Sequence, residues 1–162
     1  MTIVLLRHGR TLWNRADILI GQRDIPLDVG GREEARRAVR SLTGIDAIYS
    51  SPLSRCEESA SIIGEGLGLS VTLFKGLSER HWGVFEGRPK LERDRSQNPE
   101  GGETTDEFRA RVAETLPHIV GARPLIVTHS GVIRLLCGHQ PAVIPHAEPI
   151  ELPFEKVASL RR

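Results

Sequence analysis

The chain has 162 residues, the length of one domain with a single sizeable core, and one domain over 1–162 is expected. Its hydrophobic fraction of 39%, charged fraction of 27% and net charge of +1 are those of an ordinary globular protein, so neither nucleic acid nor a membrane is an expected partner. Cys56 and Cys137 lie far apart and form no C-x-x-C pair, which excludes a disulfide framework, argues against a metal site and suits a reducing compartment.

Thr2 to Leu6 is a continuous apolar, β-branched run, as expected of a strand covered on both faces. The apolar N-terminal run ends at once at Arg7. It is too short for a secretory segment, and no stretch approaches membrane-spanning length, so the expected location is cytoplasmic. Gly31 to Leu42 places Ala35, Ala38, Val39 and Leu42 on one helical face, with Arg36, Arg37 and Arg40 away from it. Asp46 to Tyr49 reads as a second strand. Leu53, Cys56, Ala60, Ile63 and Leu67 recur at spacings of three and four, predicting an amphipathic helix with Pro52 at its first position. The T-T-D-E run from Thr104 matches a capping box, and Phe108, Val112, Leu116 and Ile119 form a helical stripe that Pro117 should kink or break. Pro124 to Thr128 reads as a third covered strand, followed by a short buried helix over Gly131 to Leu136. Pro149 to Ser159 is expected to add an edge strand or hairpin. The alternation predicts an α/β fold: a three-layer α/β/α sandwich around a mostly parallel sheet.

Ligands of such sheets gather outside the carboxyl ends of the strands. Three strand exits therefore carry the chemistry: Arg7-His8-Gly9, Ser50 through Arg55, and His129-Ser130-Gly131. If the three strands are neighbours, two imidazoles and two guanidiniums converge on one pocket. Guanidinium forks match phosphate oxygens, the helix N-termini after Pro52 and His129 add backbone donors, and a neutral imidazole can attack phosphorus.

Six segments carry a resemblance along nearly the whole chain. They are L-L-R-H-G-R-T-L-W-N from Leu5, G-Q-R-D-I-P-L-D from Gly21, S-S-P-L-S-R-C-E-E-S-A from Ser50, L-S-E-R-H-W-G-V-F-E-G from Leu77, P-E-G-G-E-T from Pro99 and T-H-S-G-V-I-R from Thr128. In this order they resemble the histidine phosphatase superfamily in its phosphoglycerate-mutase-like branch, and the short phosphatases of the alpha-ribazole type within it. The resemblance implies that His8 is a phosphorylated nucleophile. It also implies that Arg7, Arg55 and His129 hold the phosphoryl oxygens, that Asn14 is a further phosphate contact, and that Glu79 protonates the leaving alkoxide and later helps activate water. Gly21 and Ser130 fall in the matching phosphate-binding segments. No metal and no organic cofactor is implied. One departure stands out: the family carries Glu or Gln where this chain has Arg10, which either adds a cation beside the pocket or replaces a structural contact.

Glu86 belongs to the W-G-x-x-E-G turn and is expected to be structural. His81, His118, His139 and His146 show no metal-ligand spacing and are expected on the surface or in packing, although His81 could line the pocket. Trp82 and Phe85 are expected to pack rather than stack. The charged run from Arg88 to Glu100 is either a solvated loop or a short lid.

A mutase must shield its phosphohistidine from water. About twenty residues separate the Glu79 segment from G-G-E-T and 33 follow His129, without the insertions and closing tail of the cofactor-dependent mutases. Hydrolysis of a small phosphomonoester is therefore the favoured activity, with a mutase or a catalytically silent phosphate-binding module as alternatives. The resemblance offers phosphorylated sugars, glycerate-type acids, phosphoserine, a nucleotide-like ester or a phosphoprotein as substrates. Arg10, Arg15 and Arg23 would favour acidic ones if they faced the pocket.

Overall fold

A computed structural model describes residues 1–138 and 141–158. Strand β1 (Thr2–Arg7) leads through a single turn, α1 (Leu12–Arg15), to α2 (Val29–Ala38). The Asp28 carboxylate caps α2 by accepting from the Gly31 N–H at 2.7 Å, so the helix starts two residues earlier than its apolar stripe suggests. It tightens into a 3₁₀ turn over Val39–Ser41 before β2 (Ala47–Ser50). Next comes α3 (Ser54–Leu67), which ends on Gly68 in the left-handed region. Pro52 lies outside this helix, ahead of the Leu53 cap, and not at its first position.

The short strand β3 (Val71–Leu73) has no counterpart in the sequence reading; three residues, two of them exposed, are too few to show a period. Helix α4 (Thr105–Thr115) opens on the full capping box of Thr104 and Glu107. It gives way at Pro117 to a 3₁₀ turn over Leu116–His118, because proline cannot donate to the helical ladder. Then follow β4 (Pro124–Thr128), α5 (Ser130–Leu136), β5 (Pro149–Pro153) and α6 (Phe154–Ala158). The segment from Pro149 is thus an edge strand and a short helix; Ser159 lies outside the described residues.

The sheet order is β3-β2-β4-β1-β5, parallel except for β5, which runs antiparallel to β1 at the edge. Edge placement explains how β5 tolerates a proline at each end. Alternation sorts the central strands between two cores. Ile3, Leu5 and Ile126 pack with Phe108, Val112, Leu116 and Ile133 under α4 and α5. Val4, Leu6, Leu125 and Val127 pack with Ala38, Cys56, Ala60 and Ile63 under α2 and α3. With apolar cover on both faces, β1 and β4 can be hydrophobic at every central position, which is why their sequences are continuous apolar runs.

This order makes the three chemistry-bearing strands neighbours, with β4 between β1 and β2. Their exits are fastened together: the His8 N–H donates to the Thr128 carbonyl at 3.1 Å and the Ser51 N–H to the Val127 carbonyl at 3.2 Å.

Candidate active site

His8 sits at the exit of β1, almost fully buried. Its Nδ1 lies 2.6 Å from the Gly9 carbonyl, an acceptor only, so Nδ1 carries the hydrogen and Nε2 keeps its lone pair. Burial first, then the charge of Arg55 and the nearby His129 and Arg7, hold the His8 imidazole well below its usual pKa. It is a neutral base with a free nitrogen, the form required of a nucleophile.

His8 lines a cavity of about 120 Å³ together with Arg7, Asn14, Gly21, Arg55, Glu79 and Ser130, so seven of the eight expected site residues share one space. Arg55 is 1% exposed, and its two terminal nitrogens donate to the Arg23 and Gly21 carbonyls at 2.8 and 2.7 Å. Arg7 donates through Nη1 to the Ile144 carbonyl at 2.8 Å. Each guanidinium keeps a buried Nε with no hydrogen-bond acceptor among the described residues. A buried donor left unpaired is costly, so two of them beside one cavity suit an oxyanion. Burial, only partly offset by the attraction of Glu79, lowers the Arg7 pKa to about 10; the side chain remains cationic at neutral pH.

Asn14 braces its own loop and also reaches the cavity. Its Oδ1 accepts from the Thr11 N–H and hydroxyl at 3.0 and 2.9 Å, and the residue is part of the cavity lining. Gly21 adopts φ +55°, and a Cβ there would fall 2.1 Å from Glu86 Oε1. Glu86 Oε1 in turn accepts from the Gln22 and Trp82 N–H groups at 2.8 and 3.0 Å, which accounts for its structural part in the turn.

His129 is the exception. Its ring is fully buried behind His8, with ring centroids 5.3 Å apart, and is absent from the cavity lining. Nε2 lies 2.9 Å from Ser51 Oγ and 3.3 Å from Cys56 Sγ. Burial, then Arg55 and Arg7, push its pKa well below the usual value, so this imidazole is also neutral. Burial pushes the Cys56 thiol up to about 12, which keeps the sulfur protonated and unreactive. The helix N-termini also differ from expectation. The first N–H of α3, from Ser54, is held by Asp24 Oδ1 at 2.7 Å, and the Gly131 N–H of α5 by Glu79 Oε2 at 3.1 Å.

That second bond helps to fix Glu79, whose Oε1 accepts from the Arg80 N–H at 2.8 Å. The Glu79 backbone carbonyl accepts from Gln22 Nε2 at 3.0 Å and from Arg111 Nη2 at 3.2 Å. Arg111 is itself clamped by the Glu103 carboxylate at 2.7 and 2.8 Å, and Glu103 also accepts from the His81 N–H at 2.8 Å. The G-G-E-T motif thus acts at a distance, as a brace for the loop that carries Glu79. Thr128 ties the same loop to β4 by donating to the Leu77 carbonyl at 2.7 Å.

Sequence reading missed two features. Lys90, Arg93, Arg95 and Arg134 also line the cavity, so it holds six cationic side chains and one carboxylate. By contrast, Arg10 and Arg15 turn away to ion pairs with Glu34 and Asp28, and Arg23 lies 3.8 Å from Glu86; none lines the cavity. The unusual Arg10 is therefore a structural contact, with its backbone N–H also on Glu34, at 2.9 Å. The second feature is His146, expected to be a surface or packing residue. Its ring sits 5.4 Å from that of His8, and its Nδ1 donates to the His8 carbonyl at 2.7 Å. Burial and then Arg7 lower its pKa to about 3. Trp82 is buried as expected, but it also carries Arg80 and Arg93 at 4.4 and 4.8 Å from its ring. His81 faces Glu86 at 3.8 Å and does not line the cavity; His139 lies outside the described residues.

Among the described residues, no three His, Cys, Asp or Glu side chains gather where they could share a cation. No helix among them is long and apolar enough to cross a membrane.

The model of the histidine phosphatase superfamily (branch 1) matches residues 3–160. Phosphoglycerate mutase-like protein 4 of Arabidopsis thaliana is 36% identical over 157 residues, covering 83% of this chain and 68% of the relative. A probable phosphoglycerate mutase GpmB of Serratia proteamaculans is 34% identical, covering 80% of this chain and 69% of its own. The crystal structure of a phosphoglycerate mutase from Thermus thermophilus superposes with a TM-score of 0.82 at 29% identity, covering 95% of this chain and 94% of that one. A structure described as mycobacterial hydrolase 1 gives 0.74 at 30% identity, covering 85% and 77%. With the family match running almost end to end over a site of this geometry, the chain belongs to branch 1 of the histidine phosphatase superfamily.

Proposed function

We propose that this chain hydrolyses a small phosphomonoester through a phosphohistidine on His8, without a metal or organic cofactor. One observation carries the reading: the free Nε2 of a neutral His8 shares a cavity with Arg7 and Arg55, whose buried Nε donors have no protein acceptor among the described residues. The Nε2 lone pair forms a bond to phosphorus as the bond from phosphorus to the ester oxygen breaks, and protonated Glu79 gives its proton to that oxygen. Water then attacks phosphorus and passes a proton to Glu79. The phosphorus–nitrogen bond breaks, returning neutral His8 and inorganic phosphate. Arg7, Arg55 and the Asn14 amide stabilise the charge in flight, the main protein contribution to phosphoryl transfer. His129, fully buried and outside the cavity, packs its ring 5.3 Å behind that of His8 and backs the nucleophile rather than the phosphoryl group.

Hydrolysis is favoured over mutase transfer by the cavity rim, where Arg93 is half-buried and Arg95 exposed, so water has a path to the intermediate. The segment 88–100 brings Lys90, Arg93 and Arg95 to the cavity rim. Its base is pinned by the Leu19 N–H on the Arg88 carbonyl at 2.9 Å and the Lys90 N–H on the Asp17 carbonyl at 2.9 Å. A panel of phosphomonoesters that includes 3-phosphoglycerate, assayed for phosphate release with chelator present, tests the reading. Release by the wild type and none by His8→Ala is expected. Isomerisation of the phosphoglycerate without phosphate release would make the chain a mutase, and activity that needs added metal would overturn the mechanism.

A further inference from the structure

The cavity does not end at Glu79. A second hollow of about 170 Å³ shares Glu79, Trp82, Arg93, Arg95, Ser130 and Arg134 with the first and adds Phe108 and Leu135. Arg7, His8 and Arg55 line only the first hollow; Glu79 lies on the wall common to both. A substrate with its phosphoryl group at His8 and its ester oxygen at Glu79 therefore sends its leaving group into the second.

Two kinds of side chain line that space. The buried Phe108 of α4, the half-buried Leu135 of α5 and the Trp82 ring offer apolar and aromatic surface. Arg93, Arg95 and Arg134 offer guanidiniums. Among the described residues none of these three has a carboxylate within ion-pairing distance. Arg93 Nε is buried without an acceptor, and Arg134 uses one terminal nitrogen on the Ala142 carbonyl at 2.7 Å. Burial, and then the neighbouring charge of Arg95, hold the Arg93 pKa down to about 10. Glu79 is the one carboxylate lining the hollow with these three guanidiniums, so net positive charge remains and a bound oxyanion relieves their repulsion. These three also line the first cavity, but with Arg7 and Arg55 beside His8 for the phosphoryl dianion they are left to a second oxyanion on the substrate.

We propose that the second hollow is a leaving-group subsite that selects esters of alcohols with a planar or apolar body and a second oxyanion, a carboxylate or a phosphate. Its orientation rests on the hydrolase reading; its charge and apolar lining do not.

Non-hydrolysable phosphonates separate the two. Isothermal titration compares benzylphosphonate with its para-carboxy and para-phosphono derivatives on the wild type, Arg93→Met and Arg134→Met. The acidic derivatives should bind the wild type about ten-fold more tightly than the parent, the scale of one charge-assisted hydrogen bond. That ratio should shrink to about two-fold in each variant, and the two derivatives reveal which oxyanion is preferred. Methylphosphonate should bind more weakly than benzylphosphonate, with the difference reduced in Leu135→Asn. Equal affinity of parent and derivatives, a ratio unchanged in both arginine variants, or no binding of any phosphonate overturns the subsite. Preserved discrimination with no turnover of the matching esters sinks the hydrolase reading and leaves the subsite standing; turnover of benzyl phosphate without discrimination does the reverse.

Discussion

Gly131 offers a way to move Glu79 without touching the carboxylate itself. A Cβ at this position would lie 2.1 Å from Glu79 Oε1 and 3.2 Å from Oε2. Ordinary contact begins near 3.5 Å, so in Gly131→Ala the carboxyl retreats by more than about 1 Å, and a displacement of about 1 Å already costs on the order of 10²-fold in a positioned catalytic step. The side-chain end of Glu79 can give way, and alanine suits a helix better than glycine by about 1 kcal/mol, so the fold should not weaken. The expected result is a loss of about 10²-fold, or about 2.7 kcal/mol, in kcat/KM for alkyl phosphates. An aryl ester such as 4-nitrophenyl phosphate, whose leaving group needs no proton, should lose far less. Steady-state kinetics on both esters, with thermal unfolding as control, make the test. Equal losses on the two esters at unchanged Tm, or no loss on either, would refute the placement of Glu79 as the acid.

Arg55→Met removes a cation from the cavity and leaves the buried Gly21 carbonyl unpaired, so stability should fall by roughly 1–3 kcal/mol. Vanadate should raise the Tm of the wild type but not of this variant; equal shifts would place the anion elsewhere. His146 has a folded pKa of about 3, below the ordinary histidine value near 6.5, so the unfolded chain binds the extra proton between these pH values. Stability is therefore full above about pH 6.5 and is lost as the pH falls toward 3. In urea titrations across that window, His146→Asn should reduce the slope by up to about 1.4 kcal/mol per pH unit; an unchanged slope would show that His146 carries no such linkage. Tyr49→Phe should cost roughly 1–3 kcal/mol of stability with activity intact, since its hydroxyl donates to the Val120 carbonyl at 3.1 Å and accepts from the Val120 N–H at 3.2 Å, far from the site.

Most of the fold was legible because burial on both faces writes itself into sequence: β1 and β4 are unbroken apolar runs, and the α3 stripe is regular over its whole length. The strand exits were equally plain, since Arg7, His8, Arg55 and His129 follow those runs directly. What did not show was anything set by approach in three dimensions. Lys90, Arg93 and Arg95 sit in a segment whose composition suits a solvated loop, and only its folding back against Asp17 and Leu19 brings them to the cavity. His146 carries no spacing pattern; it meets His8 because residues 144–147 run beside the end of β1, where the Ala147 N–H donates to the Arg7 carbonyl at 2.8 Å. Arg10 and Arg15 mislead for the opposite reason, because their partners Glu34 and Asp28 are distant in sequence and draw them off the pocket. The bracing of Glu79 by Arg111 and Glu103 was hidden in the same way, although the G-G-E-T motif had marked one end of it.

The most direct test of the central claim is to trap the intermediate. Wild type mixed with a turned-over ester, quenched in alkali within milliseconds and digested, should give a peptide containing His8 that carries one phosphoryl group, stable in alkali and lost in acid. A label on any other residue, or one retained in His8→Ala, would contradict the account.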